Sequence, residues 1–297
     1  MRRLWFIAMV AFALLVPAIS AHAADIEPYR GLGAWVDVFD YAPRVQTGGK
    51  TPPVNARSIG DMAKLGVRTL YLQVGRNDAK PARTLVDGKQ VREFLGAAHQ
   101  AGIAVVAWYL PSLVDIDADF RPLEGIHRLR VNGRGFDGIA LDMEATDVPD
   151  VTLRNSRLVQ LTRRVRKLVG SDMPIGAIVY PAVQLEVLNL VLWPGFPYRQ
   201  VEPSIDVWLP MVYFTFRSEA YRDPIKYTTD SVDLLRGHLH DANAAVHVIG
   251  GIADLTTTDD YRAFVRAAKL TKAVGYSVYD YNTTASSAWP WLRPTSG

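Results

Sequence analysis

The fold of this chain is decided by residues 136–144, which read Phe-Asp-Gly-Ile-Ala-Leu-Asp-Met-Glu. The segment 138–141 is short, apolar and bounded by turn-forming residues, a pattern that predicts a buried β-strand. Side chains two residues apart on a strand point the same way, so Ala140, Asp142 and Glu144 are expected to share one face. Two carboxyl groups there raise one another's pKa, which is how an acid stays protonated near neutral pH. The alternative is a strand end capped by two solvated acids.

Apolar segments of this kind recur along the chain, and most are followed by a segment with helical spacing. Strands that alternate with helices about every 30 residues predict parallel βα units. The predicted strands are 33–39, 69–74, 104–110, 138–141, 175–180, 206–213, 246–252 and 273–279. The predicted helices are 56–65, 91–100, 121–129, 158–169, 183–192, 232–240 and 259–270.

Eight such units predict the α/β class and a single closed (β/α)8 barrel, the TIM barrel. A doubly wound sheet is the alternative, but it usually needs fewer strands for a chain of 297 residues. No linker and no change in composition divides the chain. Residues 24–297 are therefore predicted to form one barrel domain.

The first 23 residues have the features of an export signal. Arg2 and Arg3 form a basic start, an apolar run follows, and residues 21–23 fit a small-x-small cleavage site. We predict a signal peptide at 1–23, cleaved after Ala23, and a mature chain that is secreted or periplasmic. No second hydrophobic span follows, so no membrane span is expected in the mature chain. An uncleaved signal anchor is the alternative.

Composition and motifs exclude several classes of function. The net charge is +3, of which Arg2 and Arg3 supply two, so the mature chain is near +1 and no nucleic-acid partner is expected. The chain has no cysteine, which excludes thiol catalysis and leaves stability to the core. It has no His-Glu-x-x-His motif, no P-loop and no dinucleotide-binding glycines, so neither a metal nor a cofactor is expected.

The active site of a (β/α)8 barrel lies at the carboxyl ends of its strands, and acids and aromatics stand at these ends. Aromatic faces stack on sugars, while carboxylates bind hydroxyls or act on the glycosidic oxygen. This mixture predicts a carbohydrate site with Glu144 and Asp142 as catalytic acids. For any single aromatic, the alternative is that it fills the barrel. The predicted substrate-binding residues are Asp37, Gln73, Arg76, Trp108, Tyr109, Tyr180, Met211, Tyr213 and Asp280.

Residues 137–144 resemble the fourth-strand signature of chitinase-like glycoside hydrolases of family 18, Asp-Gly-x-Asp-x-Asp-x-Glu. Residues 211–214 resemble the sixth-strand Met-x-Tyr-Asp of the same family. The chain also resembles a group of secreted bacterial (β/α)8-barrel proteins related to glycoside hydrolases. The resemblance implies that Glu144 is the proton donor, that Asp142 orients it and balances its charge, and that Tyr213 binds near the reacting sugar.

The sequence departs from that family at three positions. Ala140 stands where the family has an acid, Met143 where a tryptophan is common, and Phe214 where the sixth-strand aspartate is expected. In that family the substrate's own acetamido group attacks, supported by those aspartates. A different second carboxylate is therefore an alternative. Asp37 and Asp280 are the candidates, because the first and eighth strands are neighbours in a closed barrel.

The sequence thus predicts a secreted glycoside hydrolase that acts on a polysaccharide or a cell-envelope glycan, with Glu144 as general acid. The alternative is a catalytically inactive barrel that binds glycan or a protein partner through the same rim, as the losses at Ala140 and Phe214 favour. A third hypothesis is a structural envelope protein that docks through the basic helix at 150–170.

Overall fold

Eight parallel strands close into a barrel in chain order, with β8 pairing back to β1. The computed structural model describes residues 24–45, 50–77 and 87–293, so the signal peptide predicted at 1–23 lies outside the described residues. The closed ring confirms the (β/α)8 barrel and excludes the doubly wound sheet. The strands are β1 (Gly31–Val36), β2 (Thr69–Arg76), β3 (Ala104–Leu110), β4 (Gly138–Met143), β5 (Ile175–Val179), β6 (Val207–Val212), β7 (His247–Ile252) and β8 (Gly275–Tyr279).

The helices pack against the outside of the strands. None of those described combines the length and the apolar character that crossing a membrane requires. The longest helix begins after Asp150, whose side chain accepts the backbone N–H of Leu153 and so caps the first turn. The helices are α1 (Val38–Tyr41), α2 (Ser58–Lys64), α3 (Gly88–Gln100), α4 (Ile116–Arg128), α5 (Val151–Val169), α6 (Tyr198–Val201), α7 (Pro224–Leu239), α8 (Thr258–Leu270) and α9 (Trp289–Leu292).

The first strand is shorter than predicted. It ends at Val36 rather than at residue 39. The next residue, Asp37, accepts hydrogen bonds from the backbone N–H groups of Phe39 (2.7 Å) and Asp40 (3.2 Å) and so caps α1. Because a capped turn starts here, the carboxyl groups of Asp37 and Asp40 lie together at the strand end.

Several predicted helices also differ from the structure; α5 begins at Val151 rather than at 158, and α7 at Pro224 rather than at 232. The helix predicted at 183–192 is only one π-helical turn, Gln184–Leu188. Val183 and Leu185 are buried, but the later apolar residues Leu190 (62%) and Val191 (86%) are exposed, so no packed face stabilises a longer helix. Helix α4 begins earlier than the predicted 121–129, because the side chain of Asp115 caps its first turn.

Side chains on each strand alternate between the barrel interior and the layer beneath the helices. On β4, Ala140 packs with the interior cluster, whereas Ile139, Leu141 and Met143 belong to the outer core. Asp142 follows Ala140 on the inward face, where it contacts the interior of β3. The period of two therefore holds as predicted, and it directs the acids of this strand toward the barrel mouth.

The barrel interior below the acids, which we name the base, holds stacked rings and a neutral hydrogen-bond network. Trp35 stacks on Tyr71 with ring centroids 4.2 Å apart. The buried His247 accepts the Ser277 hydroxyl at Nε2 (2.9 Å), and its Nδ1 donates to the Tyr29 carbonyl (2.8 Å). A carbonyl only accepts, so Nδ1 carries the proton. Burial lowers the pKa of His247 to about 4, and the ring is neutral at pH 7.

Glycine makes room for this network at Gly275, where β8 begins. A Cβ atom at this position would lie 2.3 Å from Nδ1 of His247 and 2.4 Å from the carbonyl oxygen of Tyr29. Both contacts are shorter than any real Cβ contact, and one of them involves backbone. The close approach of β7 to β8 at the base therefore depends on the missing side chain.

Candidate active site

Two carboxyl groups, which we name the acidic pair, stand at the barrel mouth where β4 ends. Asp142 is 1% exposed, and its Oδ2 accepts a 2.9 Å hydrogen bond from the indole N–H of Trp108. Its Oδ1 is enclosed and has no hydrogen-bond partner in the described part of the chain. Ala140, the inward neighbour below, offers no polar atom. Glu144 lies just beyond the strand and is half-buried.

The acidic pair binds a proton more tightly than isolated carboxyl groups do. Burial raises the pKa of Asp142 well above its ordinary value, and the charge of Glu144 raises it further. The Trp108 N–H and the Arg76 guanidinium oppose that shift. Burial also raises the pKa of Glu144, again against the charge of Arg76. Two coupled carboxyls that retain a proton toward neutral pH have the property required of a general acid.

Tyrosine hydroxyls surround the acidic pair. Tyr180 donates to the backbone carbonyl of Glu144 at 3.3 Å, and burial, followed by the acidic pair, raises its pKa to about 12. Burial also raises the pKa of Tyr213, and the acidic pair and Asp280 add to the shift. Both phenols stay protonated at neutral pH and are hydrogen-bond donors. Met211 lines the interior beside them.

Three further carboxyl groups, the acidic trio of Asp37, Asp40 and Asp280, lie where β1 and β8 end. One oxygen from each lies within 4.8 Å of the other two. Asp37 accepts the hydroxyl of Tyr279 in addition to its capping bonds. Asp280 accepts the backbone N–H (2.9 Å) and the hydroxyl (3.1 Å) of Thr283. Each carboxyl is more than nine-tenths buried.

Asp40 is the least satisfied member of the acidic trio. It is 5% exposed, and its Oδ2 is enclosed with no hydrogen-bond partner among the described residues. Burial, followed by the charges of Asp280 and Asp37, raises the pKa of Asp40 to about 7. A hydrogen bond with the Asn282 side chain opposes this shift only in part. The hydrogen bonds to the trio therefore do not fully compensate for the burial of three neighbouring negative charges.

The ring of Tyr279 joins the acidic pair and the acidic trio into one surface. Its hydroxyl donates to Asp37, and its centroid lies 6.2 Å from the centroids of Trp108 and Tyr213. Trp108 in turn donates to Asp142. Carboxyl groups and aromatic faces are therefore continuous across the mouth, as a sugar-binding surface requires.

Tyr109 lies away from this surface, although it was predicted to bind substrate. It follows the inward-facing Trp108 by one residue, so it points outward into the core beneath the helices. There burial raises the pKa of the Tyr109 hydroxyl, and the charge of the nearby Asp119 on α4 raises it further. The alternation of side chains on β3 accounts for the error, and Tyr109 is not part of the site.

Gln73 faces inward, but its side chain is hydrogen-bonded to the backbone at the start of α1. Its Oε1 accepts the backbone N–H of Val38 at 3.3 Å, and its own carbonyl accepts the hydroxyl of Tyr41. It therefore positions α1 and the acidic trio.

Two residues of the mouth, Asp40 and Tyr279, were absent from the predicted site. Their position at strand ends was the only signal in the sequence.

The two positions at which the sequence lacks acids of the resembled family are apolar packing positions. Phe214 is fully buried, with its ring centroid 6.0 Å from that of Phe264 on α8. It packs beneath the helices rather than in the mouth. Ala140 is fully buried inside the barrel. Neither position supplies a polar atom to the acidic pair.

The basic face of α5 is engaged in part by ion pairs. Arg164 donates to Asp117 at 2.6 Å, and its guanidinium lies 4.1 Å from the ring centroid of Phe120. Arg166 pairs with Asp206 at the start of β6. These arginines fix α5 to neighbouring elements, which weakens the hypothesis that the helix is a docking face.

Three solved structures illustrate what the fold is similar to. A class V chitinase from Pseudomonas fluorescens Pf-5 has a TM-score of 0.63 at 8% identity, over 89% of this chain and 98% of that chain. The spore cortex-lytic enzyme SleL of Bacillus cereus has a TM-score of 0.63 at 10% identity, over 89% of this chain and 73% of that chain. The PgaB (BpsB) glycoside hydrolase domain of Bordetella bronchiseptica has a TM-score of 0.60 at 12% identity, over 89% of this chain and 98% of that chain.

No protein-family model and no curated protein matches the chain. At identities of 8% to 12%, the structural likeness establishes the fold and leaves the reaction to the residues of the mouth. The chain therefore has the barrel architecture of solved chitinases and glycoside hydrolase domains, over most of its length.

Proposed function

We propose that this protein is a secreted glycoside hydrolase acting on a polysaccharide or a cell-envelope glycan, with Glu144 as general acid. The observation that carries the proposal is the acidic pair: Glu144 follows the last residue of β4, close to the inward-facing Asp142, and both pKa values are raised. A barrel of this class acts at the carboxyl ends of its strands, which is where the pair lies. The fold shared with solved chitinases supports the same substrate class.

Glu144 would protonate the glycosidic oxygen as the bond to the leaving sugar breaks. The more deeply buried Asp142 would position it and keep the shared proton at the mouth, because an ionised carboxylate is unfavourable there. Tyr180, Tyr213 and Trp108 would bind sugar through hydroxyl donors and ring faces. Asp142 is the preferred partner carboxylate, and Asp37 or Asp280 is the alternative if nucleophile and acid lie on different strands.

Export is part of the proposal. The residues at 1–23 would be a cleaved signal peptide, which would place the barrel domain at 24–297 outside the cytoplasm, where envelope glycans are found. Mass spectrometry of the protein recovered from the periplasm or medium of an expressing bacterium would test this. An amino terminus at residue 24 is expected, and an intact amino terminus in the cytoplasm would contradict it.

The test of the reaction is Glu144→Gln, assayed against a panel of amino-sugar and neutral polysaccharides by release of reducing ends. General acid catalysis contributes about 10²- to 10⁴-fold, so turnover is expected to fall by that factor. Glu219→Gln is the matched control, because Glu219 is exposed on the loop after β6 and carries the same chemical change. Equal turnover in wild type and Glu144→Gln would remove Glu144 from the mechanism.

A non-catalytic glycan-binding barrel is the second candidate, favoured by the apolar residues Ala140 and Phe214. The same panel separates the two functions. Saturable binding by calorimetry with no release of reducing ends, in the wild-type protein, would favour the binding module. Cleavage of any member of the panel that is lost in Glu144→Gln would favour the hydrolase.

A further inference from the structure

We propose that the acidic trio of Asp37, Asp40 and Asp280 is a binding site for one hard divalent cation, with Ca²⁺ as the best fit. The proposal goes beyond the glycoside hydrolase function and does not involve the acidic pair, although it uses the two aspartates, Asp37 and Asp280, that are the alternative partner carboxylates there. It departs from the expectation, drawn from the lack of a metal-ligand motif in the sequence, that no metal binds.

The geometry of the trio matches one shared cation. Carboxylate oxygens bind Ca²⁺ at about 2.3–2.6 Å, so two oxygens on opposite sides of the ion stand about 5 Å apart. In this protein one oxygen from each of the three side chains lies within 4.8 Å of the other two. The donor set is oxygen alone, which favours Ca²⁺, Mg²⁺ or Mn²⁺ over metals that prefer nitrogen or sulfur.

Asp40 supplies an independent reason to expect a ligand. Its side chain is more than nine-tenths buried, and its Oδ2 is enclosed without any hydrogen-bond donor in the described part of the chain. Buried carboxylate oxygens without a donor are uncommon in folded proteins, because desolvation is then uncompensated. An ion held between Asp40 and the other two carboxylates would satisfy this oxygen.

Among the described residues, no positive side chain forms an ion pair with the trio. None of the ion pairs found among residues 24–45, 50–77 and 87–293 includes a member of the trio. Hydrogen bonds reach Asp37 from Tyr279 and from backbone, Asp280 from Thr283, and Asp40 from the Asn282 side chain. These donors are neutral, so the negative charge of the trio remains to be balanced.

The site lies at the seam where the barrel closes. The ladder between β1 and β8 has two paired positions at the base, Gly31 with Gly275 and Leu32 with Tyr276, and nearer the mouth the backbone N–H of Tyr281 donates to the Trp35 carbonyl at 3.0 Å. At the mouth, Asp37 follows β1 and Asp280 follows β8, so a cation would join the two strand ends across the seam. Binding should therefore stabilise the closed barrel as well as balance charge.

The experiment measures Ca²⁺ binding to the full chain by isothermal calorimetry after treatment with EDTA, together with the melting temperature in EDTA and in Ca²⁺. One Ca²⁺ per chain is expected, with a melting temperature about 5 °C higher at one hundred times Kd. Mg²⁺ and Mn²⁺ are run in parallel. Tb³⁺ luminescence excited through aromatic rings gives a third readout, because the hydroxyl of Tyr279 contacts Asp37.

Asp40→Asn and Asp280→Asn are the test variants, and Asp254→Asn is the matched control, since Asp254 is an exposed acid after β7. Each test variant is expected to weaken Ca²⁺ binding at least about tenfold, while the control leaves it unchanged. In EDTA, Asp40→Asn should melt no lower than wild type, because it removes like-charge repulsion. No saturable binding in wild type, or undiminished binding in both test variants, would falsify the proposal.

Discussion

The two ends of the barrel interior treat buried polar groups in opposite ways. At the base, the Trp35 indole donates to Ser277 (2.7 Å), Ser277 to the His247 ring, and that ring to a carbonyl, so each group has a partner and none is charged. At the mouth, Oδ1 of Asp142 and Oδ2 of Asp40 are enclosed without partners among the described residues, and neighbouring acids repel. The difference indicates that the polar groups of the base stabilise the fold, whereas the mouth retains groups whose burial is unfavourable, as expected at the end of such a barrel where a site would lie.

This contrast has a direct physical consequence for substitutions. Removing a group from the satisfied base leaves its partners unpaired, which destabilises the fold. Removing a charge from the mouth relieves desolvation and repulsion, so the fold is unaffected or gains stability while function is lost. Each of the following experiments tests one side of that contrast.

The largest effect is expected at the mouth, in catalysis without loss of stability. The 10²- to 10⁴-fold decrease in turnover expected for Glu144→Gln corresponds to about 3–5 kcal/mol of transition-state stabilisation. The free energy of unfolding in urea should change by less than about 1 kcal/mol, because the substitution is isosteric and removes a carboxyl whose burial is unfavourable. A variant that unfolds much more easily than wild type would place Glu144 among the residues that hold the fold.

The base should give the fold a pH dependence of its own through His247. In the unfolded chain this histidine gains a proton near pH 6.5, whereas in the fold its pKa is about 4. The unfolded state therefore binds more protons between these values, and stability falls as the pH decreases from 6.5 to 4, by about 3 kcal/mol. Urea unfolding at several pH values across this range measures the change in the free energy of unfolding. In His247→Gln, the dependence of that free energy on pH should be flatter. An unchanged slope in the variant would contradict a neutral, buried ring.

A smaller loss of stability is expected from crowding the base. Gly275→Ala would place a methyl group 2.3 Å from His247 Nδ1 and 2.4 Å from a backbone oxygen, so β7 and β8 must separate. Overpacking of this kind costs about 1–3 kcal/mol. Gly237→Ala on α7 is the control, because a Cβ there meets nothing within 4 Å. Similar melting temperatures for the two variants would mean that the base is less tightly packed than the distances indicate.

The smallest effect is expected for Asp142→Asn, and its sign is the informative part. The folded-state pKa of Asp142 is raised, so its proton is released more easily on unfolding, and wild-type stability falls as the pH rises above about 4. The amide carries no charge, and it retains an oxygen that can accept the Trp108 N–H. At pH 7 the variant should be more stable, on the order of 1 kcal/mol, although turnover falls. A less stable variant at pH 7 would show that the buried carboxyl is favourable there.

The fold and half of the mouth follow from local patterns in the sequence. Residues 104–110 form β3 with the predicted bounds, and β2 and β4 start where predicted. The alternation on β4 predicts that Ala140 and Asp142 point inward, because each residue of an extended chain faces opposite to its neighbour. The same rule, applied to β3, excludes Tyr109 from the site once Trp108 is known to face inward.

The closed barrel predicted from the sequence already placed Asp37 near Asp280, but other contacts that depend on its closing were not predictable. Asp40 meets Asp280 across 240 positions of the chain, and His247 meets the carbonyl of Tyr29 across 218. The capped turn at Asp37 that orients Asp40 gives no periodic signal. Exposure also accounts for the segment 183–192, where the apolar residues Leu190 and Val191 face solvent and the helical turn ends at Leu188.

By itself, the sequence determined the number and order of the strands, the inward face of β4 and the presence of acids and aromatics at strand ends, since hydrophobic period and turn residues act over a few neighbouring positions. Only the tertiary structure decided which of these side chains meet, which carboxyl oxygens lack partners and which pKa values rise. Those properties depend on burial and on the distances between charges, and both arise when the first and last strands come together.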